Sequence, residues 1–475
     1  MYFFFLTLLL ESNTMFEGIA PNYPREFFYS LSRLQGSLSK QLIKVSADRP
    51  TGISPSQITN YRLPIGALLN MDSLNIYFKV STKVSKTLPA RYANSFIKRL
   101  SIQMNNVSVQ IIQDYAFIYN FYADHNNKAY SKSIGGDWCD NSILWNHTAP
   151  TTSTESNIDG AVAFLNATDL QTDMRFCINN FMGFLGSAST KILPTDRTGE
   201  VVISIEWAPP ADVLGAVENE TAGSTATYEI NDTYLSCEAL SFSDDTYYNS
   251  IGDKDLKIGF NDYIYTSFAD VEKKSSINVT SYVSAGSIDH IVGTARIPNS
   301  TTVSKMVACN VLGGAGTTAI PLVKYLADPV TYEGDGDAFF STKNLQRNLA
   351  HLETSQFSIN NKALNWGALD KYEVFQNNLL ALGYENVDIS SNGLNPAILS
   401  IFHYWKYYGG HIQSLELIDK DSFYISGLSS SGSSCSINWK ATFKGASNSV
   451  KITPVLICKL SRVLHIKSGR SISIE

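Results

Sequence analysis

The residues best placed to do chemistry are Glu333, Asp335 and Asp337, in YEGDGDAFF, and His403 and His411, in HYWKYYGGH. Acids alternating through a tight, glycine-containing turn suit a hard cation such as calcium, which takes several oxygens converging from one loop. The spacing fails at the far end, where Asn344 stands in place of the bidentate Glu that would close the loop. A solvated acidic loop is the favoured reading and calcium the weaker one. The two histidines have no nearby Cys or His to complete a metal site, which makes them ordinary histidines. Asp244 with Asp245, or Asp253 with Asp255, could supply the acid and base of a glycosidase, but carboxylates adjacent in sequence rarely flank one bond. Gly313, Gly314 and Gly316 lack the Lys-Ser/Thr that follows in a phosphate loop, and no GxSxG nucleophile elbow occurs. Neither a catalytic centre nor a cofactor is implied.

Composition narrows the classes further. The 475 residues are 44% hydrophobic and 17% charged, ordinary values for a globular chain long enough for two or three domains. The 25 Tyr and 24 Phe suit strands and broad packed interfaces better than a helical bundle. With a net charge of −6 and scattered basic residues, no face that neutralises phosphates is evident, so direct sequence-specific nucleic-acid binding is not expected. Six cysteines without CxxC spacing read as reduced core thiols. Sequons at Asn106, Asn146, Asn166, Asn219, Asn231, Asn278 and Asn299 are what a chain rich in Asn, Ser and Thr generates by chance.

The elements that would position any such residues are organised around Ala90 to Asp124. Phe96, Leu100, Ile102 and Met104 alternate as one face of a half-buried strand. Asn105 and Asn106 form a turn pair that tolerates left-handed backbone, and Val107, Val109 and Ile111 resume the alternation. From Asp114 the spacing becomes that of an amphipathic helix, with Tyr115, Ile118, Tyr119 and Tyr122 on one stripe. The same plan recurs at Phe357 to Leu382: Phe357 and Ile359 lead into Asn360 and Asn361, and a helical run carries Tyr372 and Phe375. YEINDTYLSCEAL, from Tyr228, closes the first copy much as VKITPVLICKLSRVL, from Val450, closes the second. The chain therefore reads as two copies of one all-β unit, each with a helical insertion.

In chain order, Met1 to Leu10 is apolar but too short to span a bilayer, and Met15 offers another start. Pro24 to Lys44 spaces Phe27, Leu31, Leu34, Leu38 and Leu42 as an amphipathic helix, so residues 1–45 are expected to be an N-terminal arm. A first β-unit follows over 46–243, including a long polar loop from Asn126 to Gly160 with Trp138 and Trp145. The acidic run from Ser241 to Asp255 predicts a linker over 244–270, and the second β-unit occupies 271–475. Many short strands with long decorated loops point to sandwiches rather than βαβ units.

Four stretches carry a family resemblance: SFIKRLSIQMNNVSVQIIQDYAFIYNFYAD; WAPPADVL from Trp207 with YEINDTYLSCEAL; FSINNKALNWGALDKYEVFQNNLLALG; and CKLSRVLHIKSGRSISIE around its Gly-Arg turn. In order and spacing the chain resembles the double jelly-roll major capsid proteins of tailless icosahedral DNA viruses, the group of polinton-like viruses, virophages and membrane-containing phages. The resemblance implies two tandem eight-stranded antiparallel jelly rolls with short helical insertions, and a homotrimer whose six rolls make a pseudo-hexagonal capsomer. It implies a virion shell assembled inside the host cell, with neighbouring capsomers, penton and minor capsid proteins as partners. An internal membrane is a further candidate, facing the Phe27, Leu31, Leu34, Leu38 arm. Phe96, Leu100, Ile102, Tyr115, Tyr119, Tyr372 and Phe375 are then expected to pack the helices on the rolls. The apolar start lies outside the resemblance. The rival from another class is a β-sandwich carbohydrate-binding protein, lectin-like or a viral spike.

Overall fold

The computed structural model describes residues 38–82, 87–89, 92–125, 174–216, 227–242, 254–272, 276–299, 301, 343–345, 347–349, 351–382, 405, 409–416, 426–430, 434–444 and 451–475. The first half supplies β1 (Leu38–Ser46), β2 (Ile58–Leu63), β3 (Leu68–Thr82), β4 (Ile97–Met104), β5 (Val107–Ile112), α1 (Tyr115–His125), β6 (Met174–Ile178), β7 (Val201–Trp207) and β8 (Tyr228–Phe242). The second supplies β9 (Leu256–Ser267), β10 (Ile277–Val283), β11 (Ser287–Arg296), β12 (Leu352–Ile359), β13 (Lys362–Ala363), α2 (Lys371–Ala381), β14 (His411–Ser414), β15 (Cys435–Phe443) and β16 (Lys451–Ile466). Each half pairs these strands as two antiparallel sheets. Their orders are β1-β8-β3-β6 and β2-β7-β4-β5 in the first half, and β9-β16-β11-β14 and β10-β15-β12-β13 in the second. Strand for strand, the two orders are the same: two jelly rolls in tandem, each with a helix after its fifth strand.

Local sequence explains the repeated elements. Asn105 and Asn106 take φ of 47° and 64°, and Asn360 and Asn361 take 49° and 64°. Two successive positive φ angles make the primed two-residue turn whose twist matches a hairpin, and Asn is among the few side chains that tolerate it. α2 opens on a capping box: the Asp370 carboxylate accepts from the Tyr372 and Glu373 amides at 2.7 and 2.9 Å, and Glu373 accepts from the Asp370 amide at 2.8 Å.

The rolls fill their interiors differently. In the first, Phe78, Phe96, Phe176 and Trp207 pack ring on ring, with centroids 4.9 to 5.4 Å apart for Phe78–Phe96, Phe78–Phe176, Phe78–Trp207 and Phe96–Phe176. In the second, Trp439 lies across β11 at Gly293, where an added Cβ would stand 2.5 Å from the indole. Its Nε1 donates to Ser355 Oγ at 2.9 Å, and that hydroxyl lies 2.8 Å from Nδ1 of the buried His411. The Ser355 hydroxyl thus joins the indole and the imidazole in one buried polar chain. Burial pushes the His411 pKa down to about 3.

Several expectations are corrected. Leu38–Ser46 is a strand, not the end of an amphipathic helix, and it pairs with β8 along its whole length. Lys40, Leu42 and Lys44 alternate outward while Ile43 and Val45 are half-buried; the period is two. The 244–270 linker is too long, because β9 begins at Leu256 and pairs with β16 from Leu256 to Ser267. β9 is the second roll's counterpart of β1. The alternation of Val107, Val109 and Ile111 is broken by a register shift opposite Ile102 and Gln103, so that Val109, Gln110 and Ile112 are buried and Val107 and Ile111 exposed. Phe27, Leu31, Leu34, the loop 126–160, Asp244, Asp245, Asp253, the glycines at 313–316, Glu333, Asp335, Asp337 and His403 lie outside the described residues. Four described cysteines, Cys177, Cys237, Cys435 and Cys458, are buried thiols outside any disulfide, and burial raises Cys237 to about 11 and Cys458 to about 12.

Candidate functional site

The most heavily built part of the molecule is the seam between the rolls, and α1 is its centre. Tyr115 and Tyr119 turn toward the helix's own roll: Tyr115 Oη donates to Asn94 Oδ1 at 3.1 Å and accepts from the Met182 amide at 2.9 Å, while the Tyr119 ring meets Tyr92 and Tyr115. The opposite side of α1 enters the second roll. Phe117 meets Tyr265 edge-on at 5.9 Å, Tyr122 meets Tyr263 at 5.7 Å, and Arg296 and Arg347 lie over the Phe117 and Phe121 rings. Val292, Ile412, Val455 and Ile457 of the second roll share one continuous apolar cluster with α1 and the first roll's core. Each fully buried aromatic ring in such a cluster is worth roughly 2–3 kcal/mol.

Polar groups fix the register of this contact. The β5 bulge turns Gln110 inward, where Nε2 donates to Asn261 O at 2.9 Å and to Asp262 Oδ1 at 2.8 Å, and Oε1 accepts from the Phe184 amide at 2.7 Å. Gly183, at φ 73°, gives Gln110 its room, since a Cβ there would stand 2.3 Å from Oε1. Asp262 is also held by Arg462 at 3.0 Å. Ser187 and Ser189 bond β9 at Asn261 and Gly259. A second cluster begins at the β4 irregularity between Ile97 and Arg99, which re-aims Lys98. Its ammonium lies 2.5 Å from Asp114 Oδ1 and 3.3 Å from Asp212 Oδ2. Burial alone would lower the Lys98 pKa, but the Asp212 and Asp114 carboxylates overcome it and the net direction is up. From the second roll, Arg296 approaches Asp114 at 3.8 Å and donates to Tyr265 Oη at 2.7 Å, and Asn344 donates to Asp212 at 2.7 Å. Buried charges of this kind add little net stability but penalise any shifted register. At the far end, Arg470 Nε donates to Asp196 O at 2.8 Å and Asn105 Nδ2 donates to Arg470 O at 3.1 Å, so the Gly-Arg turn clips the last hairpin to the first roll.

The structure places the sequence-derived packing residues unevenly. Phe96, Leu100, Ile102, Tyr115 and Tyr119 are all buried. Phe375 is half-buried against the second roll's core. Tyr372 is not a packing residue: it is 58% exposed, because α2 turns Val374, Asn378 and Ala381 inward instead. Asn378 does there what an aromatic does on α1, donating to Gly410 O and accepting from the Ile412 amide, both at 2.6 Å. Gln110 and Lys98 escape a sequence reading because strand irregularities re-aim them, and Asp212 and Arg296 because their partners lie far away in sequence. Among the described residues no group of acids, cysteines and histidines is arranged to hold a metal, and no helix is long and apolar enough to cross a membrane.

This architecture defines a class, the double jelly roll, in which two eight-stranded rolls are fused along one chain. No family model and no curated protein matches the sequence. Solved structures do match, and over nearly the whole chain. The quasi-atomic model of the PBCV-1 virus capsid superposes with a TM-score of 0.59 at 12% identity, covering 94% of this chain and 99% of that one. PBCV-1 VP54, fitted into a reconstruction of the virophage Sputnik, gives 0.58 at 11% identity with the same coverage. The mavirus major capsid protein gives 0.51 at 10% identity, covering 96% of this chain and 94% of that one. The fold is that of viral double jelly-roll major capsid proteins.

Proposed function

We propose that the chain is the major capsid protein of an icosahedral virus, a structural subunit that works by assembly and not by catalysis. The observation that carries this reading is the end-to-end match of both rolls to capsid structures, each roll retaining its eight strands and helix in the same order. The seam supports it, because a shell tile must hold its two halves at a fixed angle, and the seam does so with a shared apolar core and buried polar pins. In this reading three copies close into a capsomer of six rolls, which tiles the shell beside its neighbours and the penton and minor proteins inside the host cell. Light scattering after size exclusion, followed by negative-stain imaging of the same peak, tests it. A particle of three chains with a six-cornered outline is expected. A monomer at high concentration that binds sugars on a glycan array would replace the reading with the lectin-like one.

A further inference from the structure

β14 has only four residues, His411 to Ser414, and among the described residues it is the edge of sheet β9-β16-β11-β14, paired with β11 from His290 to Gly293. Successive residues of a strand face opposite ways. His411 turns into the second roll, while Gly410 and Ile412 turn to the seam. Ile412 belongs to the apolar cluster shared with α1, and a Cβ on Gly410 would stand 2.5 Å from the Phe121 ring. α2 holds the same strand: Asn378 bonds Gly410 O and the Ile412 amide, and Asn377 Nδ2 donates to Ile412 O at 3.0 Å. The second roll's core, α2 and the seam therefore share one short strand.

Inside the roll, the imidazole ties this edge strand to the facing sheet. Ser355 on β12 and Trp439 on β15 reach it across the sandwich, and Phe357 packs on its ring with centroids 4.6 Å apart. A neutral ring fits this fully buried place. A charged ring carries two N–H donors, yet Nε2 has no hydrogen-bond partner among the described residues. Nor does a described carboxylate face it. The titratable groups that point into the second roll's core are Cys435 on β15 and Cys458 on β16, both thiols. Glu353 on β12, Lys440 on β15, and Asp370 and Glu373 at the start of α2 are exposed, and Lys371 lies over the Tyr372 ring. On β11, Asp289 bonds Ser461, and His290 and Arg296 stand with Val292 on the seam face. Glu416, beyond β14, bonds Lys459, and Arg347 lies over Phe121. Burial without a counter-charge is what holds the His411 pKa at about 3, against about 6.5 for an exposed histidine.

We propose that His411 is an acid release: when it takes up a proton, β14 and α2 leave the second roll as one unit and uncover the Phe121 side of α1, which loosens the seam between the rolls. β14 is the part that moves most easily, because four residue pairs on one side hold it, whereas β12 and β15 lie inside their sheet. The open form binds the proton first, so the closed form is favoured above about pH 6.5 and opening grows as pH falls from there toward 3. The release is a property of the single chain and stands or falls apart from the capsid reading. In a shell, it would let acid undo the fixed angle between the two halves of each tile.

Hydrogen exchange of the full-length chain, read peptide by peptide at about pH 7.5 and about pH 5 and corrected for the intrinsic exchange rate at each, tests this. Peptides covering α2 and β14 are expected to lose protection about thirtyfold between the two, the ratio that the two pKa values of His411 set. Those covering α1 are expected to follow, and β2, β4, β5 and β7 of the first roll to keep their protection. His411→Gln and His411→Met both remove the titrating ring, and in whichever folds, the loss at α2 and β14 is expected to shrink to about threefold or less. Unchanged protection of α2 and β14 in the wild type, or an equal loss in every strand, would overturn the proposal even if neither variant folds. A loss that persists at full size in a folded His411 variant would overturn it as well.

Discussion

α1 and α2 occupy the same place in two copies of one fold, and they live in different surroundings. Every residue from Tyr115 to Phe121 is buried, with Tyr115 bonded to its own roll and Phe117 and Phe121 pressed into the next. α2 buries only Val374, Asn378 and Ala381 of its eleven residues. Topology alone therefore does not decide what a repeated element does; the neighbour that covers its second face does. α1 has the amino acids of an element packed on two sides, and α2 has an inner polar anchor, Asn378, with an outer face open to solvent.

The sharpest way to break this comparison is the same substitution at both helices. Tyr119→Asp places a carboxylate among Tyr92, Tyr115 and Asn180, and is expected to cost about 4 kcal/mol or more, enough to abolish soluble folded chain. Tyr372→Asp is expected to change stability by no more than about 0.5 kcal/mol. The yield of soluble folded chain for the two variants measures the contrast, and equal losses would show that α2 is packed as tightly as α1.

Gln110→Ala comes next. It strips partners from the Phe184 amide and Asp262 across the seam, at an expected cost of about 2–4 kcal/mol, with the loss visible as earlier proteolytic cleavage between the rolls. A dependence on pH separates the two cores. His411 has a folded pKa of about 3, below the unfolded value of a histidine near 6.5, so the unfolded chain binds the proton first. Its neutral form contributes fully above pH 6.5, and about 1.4 kcal/mol is lost per pH unit as pH falls from there toward 3. Amide exchange should show the second roll opening before the first on acidification, and His411→Gln should flatten the slope. The smallest change expected is at the turns. Asn361→Ala puts an alanine at φ 64° and should cost about 1 kcal/mol, and Asn106→Ala the same, as read from melting curves.

Much of this was legible in the residues. The paired Asn turns, the stripes of Tyr115 and Tyr119, and the long closing strands announce two copies because each depends on local periodicity. β1 and β9 were not, for opposite reasons. In β1, Leu38 and Leu42 also satisfy helical spacing, and only Ile43 and Val45 on either side of Lys44 betray the period of two. In β9, Leu256, Ile258 and Phe260 follow an acidic run and lie among polar residues. β6 and β14 are too short to show a period at all. The seam's polar pins were hidden for a deeper reason: Gln110 and Lys98 point where they do because the strands carrying them slip register, and single-sequence alternation assumes that they do not.

The double coverage of α1 also sets an order of events. When the first half leaves the ribosome, Phe117 and Phe121 have their own roll behind them and water in front, until β9, β11 and β14 are made. The second roll is in the converse position, with Tyr263, Tyr265, Val292 and Ile457 forming a sticky wall that only the finished first roll can cover. During synthesis the growing chain passes through a half-built state that is prone to aggregate, and shielding that state is a task for the folding machinery of the cell rather than for the fold itself.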